Sequence, residues 1–284
     1  MKNTELLDSI SPQQIKAVFF DIDGTLVNRN HEISMRSRHA IAQLLKRDIT
    51  VSLATGRPYF GATQIMSELG VNGSSLFYSG ALIINPYQET SLFSKSIEPE
   101  VLEGLIQEVS QNNLYFELYT HTDYYISQAN QLAKIHSEYI NKMPKITSLS
   151  ELITTEEILK VGFIVEKGST EEIILYETLA QFSTLQLATA FGASHPHLLW
   201  ASATHKDAAR ENAFELLIQS MNISPSEVMA FGDGESDIPF LKLAGVGIAM
   251  GNSEKSVQDA ARIVTKSVEE DGVFYAISRL LNSR

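Results

Sequence analysis

Asp21-Ile22-Asp23-Gly24-Thr25 follows directly on the apolar run Ala17-Val18-Phe19-Phe20, so two carboxylates, a glycine and a hydroxyl stand where a buried strand meets a polar loop. Four apolar residues in succession fit a strand of a parallel sheet covered on both faces. In an extended segment Asp21 and Asp23 point the same way, and two carboxylates so placed repel unless a proton or a cation intervenes. Two other apolar runs end similarly. Residues 49–54 lead into Thr55-Gly56-Arg57, and residues 228–231 lead into Gly232-Asp233-Gly234-Glu235-Ser236-Asp237. In open α/β sheets ligands bind outside the carboxyl ends of the strands. If these strands are neighbours, their loops gather Asp21, Asp23, Asp233, Asp237 and Glu235, an all-oxygen set suited to a hard divalent cation such as Mg²⁺. Such a cluster would serve calcium equally, so the accompanying residues decide. Thr25 and Thr55 supply hydroxyls, Gly24 and Gly56 allow close backbone approach, and Lys206 supplies a point charge just before a predicted helix. Those groups surround a phosphoryl group, and metal plus phosphate points to phosphoryl transfer.

The elements that must hold these loops read as α/β. Ser34 is placed to cap a helix with Ala40, Ile41, Leu44 and Leu45 on one face. Pro58 is placed to open the next helix and Gly70 to stop it. Strand, helix, strand, helix is the pattern of crossovers in a parallel sheet. Around residues 74–90 short apolar pieces split by Ser79-Gly80 read as closely spaced strands at a domain edge. From about Pro86 the order becomes helix, hairpin, helix, strand, helix, strand, with the hairpin turning at His121-Thr122-Asp123. This implies a mostly antiparallel sheet with helices on one face. The parallel pattern resumes with a helix at 207–219, the strand at 228–231, a helix at 238–243, a strand at 246–249 and helices near 254–261 and 273–281. The expected organisation is a discontinuous core, residues 1–85 and 197–284, interrupted by an inserted domain at 86–196.

The chain's 284 residues allow about two domains. Its 44% hydrophobic and 20% charged content is that of a soluble globular protein. A net charge of -12 disfavours nucleic acid and anionic membrane as partners. The absence of cysteine removes thiolate nucleophiles, disulfides and cysteine-ligated zinc. With a polar amino-terminal stretch and no apolar run near membrane-spanning length, the expected location is the cytoplasm.

At the residues quoted, the sequence resembles the haloacid dehalogenase superfamily, specifically its Cof-like sugar-phosphatase group. Asp21 to Thr25 is similar to that family's first motif, Thr55-Gly56-Arg57 to its second, Lys206 to its third and Gly232 to Asp237 to its fourth. Ala249-Met250-Gly251-Asn252 and Glu269-Glu270-Asp271-Gly272-Val273 resemble its carboxy-terminal segments. The resemblance implies a Rossmann-like parallel-sheet core with an inserted α+β cap that closes over the site and selects the leaving group. It also implies a Mg²⁺-dependent phosphatase of small phosphorylated metabolites, sugar phosphates in particular, working through an aspartyl-phosphate. Asp21 would be the nucleophile and Asp23 the general acid and base. Thr55 and Lys206 would hold phosphoryl oxygens, together with Gly24, Gly56, Arg57 and Asn252. The metal would be held by Asp21, Asp233, the main-chain carbonyl of Asp23, and Asp237 as a ligand or as a group behind the ligands. The family usually has Asn where Ser236 stands, Gly where Asp207 stands, and Asn where Ser79 stands. Asp207 is expected to cap the helix that follows it. The same residues would serve a phosphomutase, or a phosphometabolite-binding protein with weakened catalysis.

Among the remaining residues, His195-Pro196-His197 offers two histidines without a third ligand and reads as a domain hinge. His205 reads as part of the loop before Lys206. Tyr115, Phe116, Tyr119, Tyr124 and Tyr125 read as the packing of the hairpin against helices.

Overall fold

The computed structural model describes residues 2–86, 90–191 and 195–282. Residues 87–89 and 192–194, within the expected edge strands and inserted domain, lie outside it. Along the chain, β1 (Ala17–Phe20) is followed by α1 (Met35–Leu45), β2 (Thr50–Leu53), α2 (Thr63–Leu69), β3 (Ser75–Phe77), β4 (Leu82–Asn85) and β5 (Thr90–Ser94). Next come α3 (Pro99–Gln111), β6 (Phe116–Tyr119), β7 (Tyr124–Ile126), α4 (Gln131–Ile140), β8 (Lys145–Ile146), α5 (Leu149–Thr155), β9 (Lys160–Glu166), α6 (Thr170–Leu179), β10 (Leu185–Phe191) and β11 (Leu198–His205). The chain closes with α7 (Arg210–Ser220), β12 (Val228–Gly232), α8 (Ile238–Leu243), β13 (Val246–Ala249), α9 (Lys255–Ala260), β14 (Ile263–Val264) and α10 (Gly272–Asn282). It divides into two compact bodies, one formed by Met1–Gly56, Gln64–Phe93 and Arg210–Arg284, the other by Arg57–Thr63 and Ser94–Ala209.

The first body is built on a parallel sheet in the order β14-β13-β12-β1-β2. β1 pairs with β12 on one side, Phe20 opposite Phe231, and with β2 on the other, Phe20 opposite Leu53. The three strands whose loops were expected to converge are therefore adjacent. Every residue of β1 is fully buried, as its unbroken apolar run requires. Phe19 meets Phe214 of α7 edge to face at 4.8 Å, which anchors that helix on β1. Ser34 caps α1 by accepting from the Ser37 amide, and Gly70 ends α2 with a φ of 66°. The segment around Ser79 forms a small three-stranded sheet, β3-β4-β5.

The second body carries a six-stranded sheet, β10-β11-β9-β6-β7-β8, antiparallel except where β7 runs parallel to β8. Its core gathers Leu102, Leu105 and Val109 of α3, Leu152 and Ile153 of α5 and Leu175 of α6 with Phe163 and Val161 of β9. The sequence pattern gave no strand at 198–205. β11 forms there because it has a partner on both sides, β10 and β9, and this ladder carries the second body on to Ala209 rather than ending it at 196. The pair His195 and His197 accordingly lies inside the second body, not at its boundary. The helix expected from 207 starts at Arg210. Lys206–Ala208 form a separate 3₁₀ turn, and Ala209 is extended, with ψ at 134°. Asp207 is not the helix cap; its own amide is capped by His205 Nδ1 at 3.0 Å.

Candidate active site

The parallel ladder continues past the strand ends and aligns the loops. The Asp21 amide donates to Phe231 O, the Ala54 amide to Phe20 O and the Met250 amide to Gly232 O, at 2.8–3.0 Å. After Asp21 the chain turns tightly, with the Leu26 and Val27 amides both donating to Ile22 O, and Asp23 bridging to Val27. Gly24 makes this turn possible. Its φ is 84°, and a Cβ there would collide with the Asp233 carboxylate.

Asp21, Asp233 and Asp237 each bring a carboxylate oxygen within 4.8 Å of the others. Burial pushes the Asp21 carboxyl well above its usual range, the Asp237 and Asp233 charges add to this, and Arg210 opposes it. Burial, with the Asp237 charge, raises Asp233 to about 7, and burial raises Asp237 as well. Charges crowded in this way favour a cation or a proton among them. The donor set, three carboxylates without nitrogen or sulfur, suits a hard divalent cation.

Two of the three carboxylates, Asp233 and Asp237, are braced by hydrogen bonds. Asp233 accepts from the Thr25 hydroxyl at 3.1 Å and from Asn252 Nδ2 at 3.3 Å. Asp237 Oδ2 accepts the amides of Asp233 and Gly234 at 2.8 and 2.9 Å, while its Oδ1 accepts from Arg210. Asp237 thus fastens the fourth loop on itself. Gly232 leaves room for it, since a Cβ there would strike the Asp237 side chain.

Of the residues expected at the site, Asp21, Asp233, Asp237, Thr25, Gly24 and Asn252 come together. Asn252 engages protein partners at both polar atoms of its side chain, donating also to Gly24 O at 3.0 Å and accepting from the Val268 amide at 2.9 Å. Asp23 is half-buried and adds to the negative field on Asp21 without joining the triad of 4.8 Å. Thr55 is buried at the end of β2, its amide donating to Leu76 O and its carbonyl accepting from Ser79, which has a φ of 56°. Gly56 lies against the Ser79 hydroxyl. Glu235 is exposed and accepts from Ser256. Lys206, exposed, and Arg57, whose guanidinium lies 5.6 Å from the Tyr139 ring centre, belong to the second body. His195 and His197 join no group of three potential metal ligands among the described residues.

Two features escaped the sequence reading. Arg210, 7% exposed, opens α7 and reaches the carboxylate cluster; the only signal was a cation at the start of a helix following Lys206. In the second body Glu117, 1% exposed, accepts from the hydroxyls of Tyr115 and Tyr119 and pairs with His136 Nδ1 at 2.6 Å. Burial pushes its carboxyl up, but the His136 charge and these donors more than offset that and hold it below the ordinary range. Alternation in the hairpin showed Glu117 on a strand without showing what it faces.

A parallel sheet that presents buried carboxylates, hydroxyls and turning glycines at adjacent strand ends defines a phosphoryl-transfer enzyme. A family model described as haloacid dehalogenase-like hydrolase matches residues 18–277, and the chain belongs to that family, in its Cof-like group. A Haemophilus influenzae protein is 30% identical over 91% of this chain and 95% of its own length. Phosphatase YwpJ of Bacillus subtilis is 27% identical over 94% of this chain and 100% of its own. A haloacid dehalogenase-like hydrolase from Bacteroides thetaiotaomicron has the same fold, with a TM-score of 0.83 at 27% identity, over 94% of this chain and 99% of that one. The chain is a phosphatase of phosphorylated substrates. Among the described residues no helix is long and apolar enough to cross a membrane.

Proposed function

We propose that this phosphatase is Mg²⁺-dependent and hydrolyses small phosphorylated metabolites, with sugar phosphates as the class that the Cof-like resemblance favours. The observation that carries this reading is the convergence of buried Asp21 and Asp237 with half-buried Asp233 within 4.8 Å at neighbouring strand ends. Asp21 and Asp233 would hold the ion, with Asp237 fixing the loop behind them. When bound, Mg²⁺ would offset charge on the phosphoryl oxygens and keep both carboxylates ionised. Asp21 attacks phosphorus, forming the Asp21 oxygen–phosphorus bond as the ester bond breaks, and Asp23 gives its proton to the leaving alcohol. Water then attacks the aspartyl-phosphate, losing a proton to Asp23, so that phosphate leaves and both residues return to their starting state. By the resemblance, Thr55 and Lys206 would serve as donors to the phosphoryl oxygens, as would Gly24, Gly56 and Arg57. Selection among phosphate esters falls to the inserted body.

The test is phosphate release from an aryl phosphate, with Mg²⁺ and with a chelator. Turnover is expected only with the metal, and Asp21→Asn is expected to lower it at least about 10⁴-fold without changing the melting temperature in Mg²⁺ by more than a few degrees. Turnover undiminished by chelator, or by Asp21→Asn, overturns the reading.

A further inference from the structure

We infer that Arg210 is a positioning residue, an internal counter-cation that holds the carboxylate cluster assembled when no metal is bound; this rests on the metal-dependent reading above. Its side chain is 6% exposed, and its guanidinium lies within reach of several groups. Nη1 donates to Asp237 Oδ1 and to Ser236 Oγ, the latter at 3.2 Å. Nη2 stands 3.6 Å from Asp21 Oδ1, a charge contact longer than a hydrogen bond. The Phe240 ring lies 5.4 Å from the guanidinium carbon, and Nε is buried without a hydrogen-bond partner.

One side chain therefore spans two loops that are far apart in sequence, the one after β1 and the one after β12, from a third element, α7. A carboxylate cluster closed only by a divalent ion would fly apart electrostatically, or take up protons, whenever the ion left. The guanidinium instead leaves a permanent positive charge among three acids, reducing their formal sum from -3 to -2. It also engages Ser236 at the position where the resemblance leads one to expect the longer Asn, so the short hydroxyl is not left without a tether. A planar fork can address Asp237, Ser236 and Asp21 at once, which an ammonium on a flexible stem does less well. The buried, unpartnered Nε is the cost of that placement, a donor sacrificed so that the other two nitrogens face the acids.

The experiment compares melting temperatures of wild type, Arg210→Met and Arg210→Lys by calorimetry, each in chelator and in saturating Mg²⁺, with kcat and KM on an aryl phosphate. Arg210→Met is expected to melt roughly 5 °C or more below wild type in chelator. Mg²⁺ should restore at least half of that loss, so the metal-induced shift exceeds that of wild type. Arg210→Lys keeps the charge, and its melting temperature in chelator should stay within about 2 °C of wild type. Its kcat should fall roughly tenfold at unchanged KM, because the fourth loop loses its Ser236 tether. An equal loss with and without Mg²⁺ in Arg210→Met would mean ordinary packing and overturns the inference. So does a Lys variant as unstable in chelator as the Met variant, because charge would then not be the agent. If wild type turns over without metal, the proposed function fails, yet the Met and Lys comparison in chelator still decides the part played by Arg210.

Discussion

Glu117 in the second body is 1% exposed and its carboxyl lies below the ordinary range, whereas Asp21 in the first is 8% exposed and lies well above it. Burial pushes both upward, so burial cannot be what separates them. The separation comes from the number of donors per charge. One carboxylate in the second body has two tyrosine hydroxyls and the His136 nitrogen, while three carboxylates in the first share one guanidinium, one hydroxyl, two loop amides and the Asn252 amide. A buried acid with its partners supplied is a structural device. Buried acids short of positive charge have affinity left over for something else.

Three experiments bear on that contrast. The largest effect is expected from Glu117→Ala, which leaves His136, Tyr115 and Tyr119 facing a gap and should cost about 3–5 kcal/mol of second-body stability. The chain's single tryptophan, Trp200, lies 5.0 Å from His136, so its fluorescence should report this loss, equal with and without Mg²⁺. A loss that Mg²⁺ repairs would abolish the distinction between the two acids.

The next effect is a pair of opposite pH responses in chelator. A carboxyl raised to about 7, as at Asp233, stabilises the folded state below its unfolded value near 3.8, and that contribution is lost as pH rises through 7. The calorimetric melting temperature of the metal-free protein should therefore fall between pH 5 and 8, and fall less in Asp233→Asn. The lowered Glu117 contributes above its unfolded value near 4.5 and loses its effect as pH drops through the folded value. The Trp200 fluorescence transition should accordingly move down on acidification below 4.5. Both transitions shifting the same way would show that the two sites are not distinct in charge balance.

The smallest effect belongs to Thr25→Val, which removes one hydroxyl from Asp233 and should weaken Mg²⁺ binding by about 1 kcal/mol, or roughly fivefold, in a calorimetric titration. Unchanged affinity would show that Asp233 does not depend on that bond.

Much of this arrangement was legible in the sequence, because an apolar run that stops at a carboxylate is a local signal repeated at Phe20 and Phe231. That those strands are neighbours was only a condition of the sequence argument, and the sheet order meets it, with β1 between β12 and β2. What was hidden depends on partners remote in the chain. β11 reads Leu-Leu-Trp-Ala-Ser-Ala-Thr-His, with small residues that carry no clear alternation, and it becomes a strand because β9 and β10 flank it. Arg210 differs in no local respect from a surface cation at a helix start; only the fold turns it toward Asp237, 27 residues on. The expected capping role of Asp207 failed for a nearby reason, since Lys206–Ala208 form their own 3₁₀ turn and α7 begins only at Arg210, beyond the reach of a cap at 207.

The order of strands in the parallel sheet also sets a timetable for synthesis. β1 and β2 leave the ribosome early and can pair, yet the other edge of β1 waits for β12, and Thr25 waits for Asp233, 208 residues later. At about 5–20 residues per second that interval is on the order of 10–40 s. During it, β1, apolar in every side chain, has one edge of backbone amides and carbonyls unpaired. The nascent chain is thus most exposed to mispairing at the element on which the finished enzyme most depends, and a helper that shields extended apolar segments would act there first.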